Sequence, residues 1–135
     1  MSIHSLHFPL RFCDTDMLGH VNNAVYASIY EAGRTDFLVD AGLLNLSLGF
    51  SPVIVRLEID FIREMNWPAT VVVETAIHKV GTKSIHTRQR ALINGEVVSR
   101  AAGVLAVIDI NTRRAVALSD EWRDVLGRYL MPEFF

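Results

Sequence analysis

Hydrophobic and polar positions alternate along several stretches of the chain. Near the N-terminus, Leu6, Phe8, Leu10 and Phe12 alternate with polar residues and with Pro9, which predicts a half-buried strand at a sheet edge or bulge. The same two-residue period recurs in four later segments, VIVRLEIDF, ATVVVETAIHKV, SIHTRQRALI and VVSRAAGVLAVID. These segments predict four more strands, and the NGE sequence predicts a tight hairpin turn between the last two.

The segment VIVRLEIDF has the clearest two-sided pattern. One face carries the apolar residues Val53, Val55, Leu57, Ile59 and Phe61. Arg56, Glu58 and Asp60 lie on the other face, so we expect one buried and one solvated side. The later segment NTRRAVAL could turn and add an edge strand.

A helical period replaces the alternation from about Ala24 to Ala41. Apolar residues at this spacing form a wide stripe, made of Val25, Tyr26, Ile29, Tyr30, Ala32, Gly33, Phe37 and Leu38. A stripe this wide predicts a helix that other elements enclose. Asn22 or Asn23 is a suitable N-cap and Gly42 a suitable end. Gly33 indicates close packing against another backbone. The segment LSDEWRDVLGRYL predicts a second helix, with Ser119 as its cap.

The order of these elements predicts an α+β fold, in which a curled antiparallel sheet wraps around one long helix. With 135 residues and half of them hydrophobic, the chain is expected to form a single domain over residues 1–135. A net charge of −2 argues against broad nucleic-acid binding. The chain has no apolar run of membrane-spanning length and no secretory signal, so we expect a cytoplasmic protein without membrane insertion.

Polar residues are concentrated just before the long helix, in the segment DTDMLGHVNN. The first N–H groups of a helix are unpaired and lie at the positive end of its dipole, so they can polarise a bound carbonyl. Asp16 precedes the helix start by seven residues, and Gly19 permits the sharp reversal between them. The alternative is that Asp16 only braces a turn, as we expect for Asp14. His20 could orient water, contact the carbonyl, share the proton of Asp16, or cap the loop.

The segment from Asp14 to Leu38, DTDMLGHVNNAVYASIYEAGRTDFL, resembles the signature of hotdog-fold acyl-CoA thioesterases of the 4-hydroxybenzoyl-CoA thioesterase type. That pattern is roughly D-x-D-x-x-G-H-V-N-N-x-x-Y, followed along the helix by an E-x-A-R-like segment. The similarity continues through VIVRLEIDF and the order of the later strands, so it covers most of the chain. One departure is REMNWPATV, where Trp67 and Pro68 replace a Pro-Leu-x-x-Gly-Asp-like turn and could reshape one pocket wall.

The resemblance implies a function and a set of site residues. It implies hydrolysis of an acyl-CoA, with Asp16 as general base or nucleophile and the backbone N–H of Asn23 polarising the carbonyl. His20 is a further catalytic candidate. Asn22, Lys79, Lys83 and Ser84 are candidates for binding substrate or the phosphates of CoA. The family generally assembles by joining two sheets, which implies a homodimer at least and a homotetramer by further resemblance.

Several alternatives remain open at this point. Glu31 on the helix is the rival catalytic carboxylate, although we favour a structural ion pair between Glu31 and Arg34. The substrate could be an acyl-acyl carrier protein, or the chain could be a non-catalytic module that binds acyl thioesters. Asp14, Asp16 and His20 do not match the usual zinc or calcium spacings, so no metal or other cofactor is expected.

Overall fold

Five antiparallel strands form one sheet in the computed structural model, which describes residues 3–134. In chain order the elements are β1 (His4–Pro9), α1 (Asn23–Asp40), β2 (Phe50–Phe61), β3 (Thr70–Val80), β4 (Ser84–Ile93), β5 (Glu96–Asp109) and α2 (Asp120–Gly127). Short 3-10 turns occupy Phe12–Asp14 and Leu46–Leu48. The predicted α+β class, the long helix and its four following strands are confirmed.

The strands are ordered β1-β3-β4-β5-β2, which leaves β1 and β2 at the two edges. Pro9 therefore ends an edge strand, where its missing N–H removes no bond from the sheet interior. Asn94 and Gly95 join β4 to β5 with φ angles of 52° and 78°. Positive φ at both central positions is the requirement of a two-residue type I′ hairpin, and the NGE sequence predicted it.

Helix α1 packs against the sheet through two apolar clusters. Its N-terminal half buries Tyr26, Ile29 and Tyr30 against strand residues that include Val73. Its C-terminal half buries Phe37 in a second cluster that α2 also joins. Burial on this scale explains why the apolar stripe is so wide.

Gly33 lies where α1 approaches the sheet most closely. An added Cβ there would lie 2.5 Å from Cγ1 of Val73 and 3.1 Å from Nε2 of Gln89. The close approach that Gly33 predicted is present, but side chains of β3 and β4 make it rather than another backbone.

Both helices begin at the expected caps. The side chain of Asn22, not Asn23, accepts the N–H of Ala24, and Asn23 is the first helical residue. Ser119 accepts the N–H of Trp122 at the start of α2. Gly42 follows the end of α1 with a φ of 75°, the left-handed conformation typical of a residue just beyond a helix.

Three sequence-based expectations about the strands are wrong. Strand β1 ends at Pro9, so Phe12 lies in a 3-10 turn with 72% of its surface exposed. The segment NTRRAVAL adds no strand in the described part of the chain; Ala115 only makes an isolated bridge to Ile108. On β2, Val55 and Phe61 are 61% and 50% exposed rather than buried.

The exposure on β2 has a topological cause. The strand is at the sheet edge, and its pairing with β5 shifts register between Ile54 and Arg56. Leu57 and Ile59 still pack partly against the core, and the exposed ring of Phe61 contacts the core residue Tyr26 with ring centroids 4.8 Å apart, whereas Val55 at the register shift is largely exposed. Neither helix within residues 3–134 combines the length and hydrophobicity needed to cross a membrane.

Candidate active site

A short hairpin before α1 carries most of the predicted site residues. Its two arms are joined by the bridge between Thr15 and Val21. The N–H of Asp16 donates to the carbonyl of His20 over 2.8 Å, and Gly19 makes the reversal with a φ of 81°. The hairpin therefore brings Asp16, His20, Asn22 and Asn23 into one region, beside the N-terminus of α1.

Asp14 fixes the base of this hairpin. It is 2% exposed, and its carboxylate accepts the main-chain N–H of Arg11 at 2.8 Å and the Arg11 guanidinium at 2.8 Å. Its own carbonyl accepts the N–H of Asn22 at 3.0 Å. The hydrogen bond from Arg11 lowers the pKa of Asp14 below its ordinary value, against the opposing effect of burial. The bracing role expected for Asp14 is confirmed.

The carboxylate of Asp16 is exposed at the tip of the hairpin. Its Oδ1 accepts the main-chain N–H of Leu18 at 2.8 Å and that of His20 at 3.1 Å. This is the turn-bracing geometry of the alternative interpretation, but it uses only one oxygen. Within residues 3–134, Oδ2 accepts no hydrogen bond, so it can face a substrate or a water molecule while Oδ1 holds the turn.

His20 connects the hairpin to the loop after β2. Its Nε2 lies 2.7 Å from Oε2 of Glu64, and its backbone bridges to Asn66. The next residue, Val21, donates its N–H to the carbonyl of Met65 at 2.8 Å. Sequence reasoning did not identify Glu64 as a partner, because nothing in the spacing signals a contact between residues 44 positions apart.

The start of α1 leaves one donor without an acceptor. Oδ1 of Asn22 accepts the N–H of Ala24 at 2.9 Å, and the carbonyl of Asn22 accepts that of Val25 at 2.9 Å. The N–H of Asn23 has no acceptor among the described residues. Since it lies at the positive end of the helix dipole, this N–H can donate to a carbonyl oxygen as negative charge develops there.

The expected ion pair between Glu31 and Arg34 does not form. No ion pair joins them among the contacts of the described residues; instead Arg34, only 5% exposed, donates to Oε1 of Gln89 at 3.4 Å. The amide of Gln89 then donates to the carbonyl of Tyr30 and to the hydroxyl of Thr75, each at 3.0 Å. Burial lowers the pKa of Arg34, while the charge of Glu31 acts in the opposite direction.

The candidate CoA-binding residues lie at the far end of the same chain. Lys79, Lys83 and Ser84 surround the turn between β3 and β4, whereas Asp16 follows the end of β1 that pairs with the start of β3. The eleven residues of β3 connect these two ends, a span of about 33 Å. One chain therefore does not bring Lys79, Lys83 and Ser84 to its own Asp16.

Exposed apolar side chains surround the hairpin. Met17 and Leu18 are exposed at its tip, and Trp67 packs edge-to-face against Phe12 with ring centroids 5.4 Å apart. Trp67 precedes Pro68 through a cis peptide bond. These residues extend the hairpin surface toward the loop after β2, where the sequence departs from the family pattern.

Comparisons with known proteins identify the family of this chain. The family model described as the thioesterase-like superfamily matches residues 10–126. The chain is 28% identical over 120 residues to the acyl-CoA thioesterase YbgC of Haemophilus influenzae, covering 84% of this chain and 88% of that protein. It is also 28% identical over 131 residues to the chloroplastic acyl-acyl carrier protein thioesterase ATL2 of Arabidopsis thaliana, covering 93% and 69%.

A solved structure gives the same result for the fold. The structure of a predicted thioesterase from Bacillus stearothermophilus superimposes with a TM-score of 0.87 at 26% identity, covering 96% of this chain and 98% of that one. The family match and the named relatives support thioester hydrolysis over the non-catalytic alternative. The chain belongs to the thioesterase-like superfamily, and it is a thioester hydrolase with the hotdog fold.

Proposed function

We propose that this protein hydrolyses acyl-CoA to a free acid and CoA. The observation that carries the proposal is the unpaired N–H of Asn23 at the start of α1, beside the hairpin that presents Asp16. The N–H of Asn23 donates to the thioester oxygen, which gains negative charge when the carbonyl carbon is attacked. The C–S bond then breaks and CoA leaves as its thiolate.

Asp16 promotes attack on the carbonyl carbon in either of two ways. As a general base it takes a proton from water, whose oxygen attacks the carbonyl carbon. As a nucleophile its oxygen attacks directly and forms an acyl-enzyme anhydride, which water then hydrolyses. Both routes use the same ionised side chain, and the free Oδ2 supports both. His20, held by Glu64, lies on the opposite arm of the hairpin and contacts the reacting carbonyl or water.

We propose that the working unit contains at least two copies of the chain. β2 is a twelve-residue edge strand that exposes Phe50, Ile54, Val55 and Phe61, so it offers both backbone partners and apolar area to a second β2. A dimer also provides a use for Lys79, Lys83 and Ser84, which are remote from the Asp16 of their own chain. In this arrangement they bind CoA phosphates at a neighbouring copy's site, while Asn22 contacts substrate beside Asn23.

A carrier-protein substrate is the second candidate, and the similarity to ATL2 favours it. Acyl carrier proteins are acidic and require a basic docking surface. Near the hairpin, however, Arg11 is paired with Asp14 and Arg63 with Glu96, while Glu64 adds negative charge. This balance favours acyl-CoA. We further propose that the reaction takes place in the cytoplasm.

The test is hydrolysis of short, long and aromatic acyl-CoAs, with release of free thiol as the readout. Matched acyl-acyl carrier proteins are assayed in parallel. Our proposal predicts turnover of at least one acyl-CoA class at a higher kcat/KM than the matched carrier-protein substrate. Faster turnover of the carrier-protein substrates would contradict the substrate assignment. Turnover of neither set would contradict thioester hydrolysis by this chain.

A further inference from the structure

A second group of chemically capable side chains lies away from Asp16. His4 opens the edge strand β1, and Asp36 and Asp40 are four residues apart on α1, so both carboxylates are on one helix face. Nε2 of His4 lies 2.9 Å from Oδ2 of Asp36 and 3.2 Å from Oδ2 of Asp40. The three potential ligand atoms all lie within 4.8 Å of one another.

The position of this cluster is electrostatically unfavourable without a cation. Two carboxylates one helical turn apart repel each other. Asp40 is also the last residue of α1, where the helix dipole is negative, and the last turn contains no basic residue. A cation between Asp36 and Asp40 would offset both effects.

The histidine ring is held in place for such a cation. The His4 side chain is only 8% exposed and packs edge-to-face against Phe37, with ring centroids 5.9 Å apart. Its Nδ1 is buried with no hydrogen-bond partner in the described chain, while Nε2 is directed between the two carboxylates. Asp36 and Asp40 are themselves partly exposed, so an ion and its water ligands can enter from solvent.

The spacing also suits a transition-metal ion. Zinc binds imidazole nitrogen and carboxylate oxygen at about 2.0–2.2 Å, and tetrahedral geometry then separates ligand atoms by about 3.3 Å. The two separations from Nε2 of His4, 2.9 and 3.2 Å, differ from that value by a few tenths of an ångström, and the two carboxylate oxygens lie within 4.8 Å of each other. One imidazole with two carboxylates is a ligand set that first-row divalent ions accept.

We propose that His4, Asp36 and Asp40 form a binding site for a first-row divalent cation of the zinc type, with water completing the coordination. The bound ion ties edge strand β1 to the C-terminal half of α1. The site is structural and independent of thioester hydrolysis, since it lies at the end of α1 opposite Asn23. A failure of this proposal would therefore leave the proposed function unaffected, and the reverse is also true.

The test uses tag-free, full-length protein carrying Cys13→Ser, because the exposed thiol of Cys13 could bind zinc by itself. The protein is treated with EDTA, dialysed, and titrated with Zn²⁺ by calorimetry and with Co²⁺ by visible absorption. Asp36→Asn and Asp40→Asn each remove one ligand charge with little change in shape. Asp124→Asn, an exposed site on α2, is the matched control.

We expect one Zn²⁺ per chain, Co²⁺ absorption bands from a low-symmetry site, and a Tm that rises with added Zn²⁺. Asp36→Asn and Asp40→Asn should each weaken binding by about tenfold or more, and Asp124→Asn should not. The proposal is overturned if Zn²⁺ leaves the Tm unchanged, or if both ligand variants bind as tightly as the Asp124→Asn control. The cluster would then be only a direct contact of the His4 ring with the two carboxylates.

Discussion

His20 and Asp16 are joined by two hydrogen bonds across the hairpin. The main-chain N–H of His20 donates to Oδ1 of Asp16 over 3.1 Å, and the N–H of Asp16 donates to the carbonyl of His20 over 2.8 Å. The second bond needs no side chain, and the first needs only an acceptor oxygen. An asparagine at position 16 can therefore keep the turn and remove the charge, which separates the structural role of this side chain from its chemical role.

The imidazole of His20 should contribute to catalysis, whereas its ion pair with Glu64 should contribute little to stability. His20→Asn is expected to lower kcat/KM by about tenfold or more if the imidazole contacts the carbonyl or water. Glu64→Gln removes only the partly exposed ion pair, so its cost in unfolding free energy should stay below about 1 kcal/mol, with activity nearly unchanged. Steady-state kinetics and thermal unfolding of both variants distinguish these effects. If His20→Asn and Glu64→Gln lost activity equally, the role of His20 would be only to brace the loop through its contact with Glu64.

Asp14 should make stability depend on pH. Asp14→Asn is expected to lower the unfolding free energy by about 1 kcal/mol, since Arg11 is largely exposed. The pKa of Asp14 is lowered in the folded chain, so its contribution is present above the unfolded value of about 3.9 and is lost as the pH falls through the folded value.

The difference in Tm between wild type and Asp14→Asn should therefore narrow below about pH 4. Thermal unfolding between pH 7 and pH 3 measures this difference, with exposed Asp124→Asn as the control. A difference that stays constant over the whole range would show that Asp14 contributes through shape and not through its charge.

Gly33 should not tolerate a methyl group. Alanine favours helix by about 1 kcal/mol over glycine, but its Cβ would lie 2.5 Å from Cγ1 of Val73. Overpacking of this kind costs about 1–3 kcal/mol, so a net loss of stability is expected for Gly33→Ala in chemical denaturation. Gly127→Ala in α2 is the matched control, because no atom lies within 4 Å of its added Cβ. If Gly33→Ala proved as stable as Gly127→Ala, the described approach of α1 to β3 would be wrong.

The exposed edge of β2 should control assembly. Val55→Lys places a charge on the strand that we expect to pair with a second β2, so it should convert dimers into monomers and reduce activity. Ser5→Lys, on the opposite edge strand β1, is the control and should leave the assembly unchanged. Light scattering coupled to size-exclusion chromatography gives the mass. A wild-type monomer, or a Val55→Lys variant of undiminished mass, would contradict assembly through β2.

Local patterns predicted most of the fold. The two-residue and helical periods identified all five strands and both helices, because each element has one face against the core. They could not tell which strand is at a sheet edge, so they assigned Val55 and Phe61 to a buried face. That assignment depends on pairing between distant segments, and periodicity contains no information about pairing partners.

The candidate site was predictable only where its contacts are local. Asp14, Asp16, Gly19 and Asn22 act within one hairpin, and their spacing indicated the turn and the cap. The partner of His20 comes from a loop that follows β2, and the partner of Arg34 is Gln89 on β4. Neighbouring positions on α1 suggested that Arg34 pairs with Glu31, but the guanidinium of Arg34 is buried against the sheet and donates to Gln89 instead. Contacts that cross the fold have no signature in local spacing.

The central claim is that the carboxylate of Asp16 either attacks the thioester or activates the water that attacks it. The most direct measurement is the rate of acyl-CoA hydrolysis by Asp16→Asn, with Glu31→Gln as the matched helix variant and with Tm recorded for both. We predict a fall in kcat of about 100-fold or more for Asp16→Asn at an unchanged Tm, and near-normal activity for Glu31→Gln. A folded Asp16→Asn enzyme that retained most of the wild-type rate would contradict the claim.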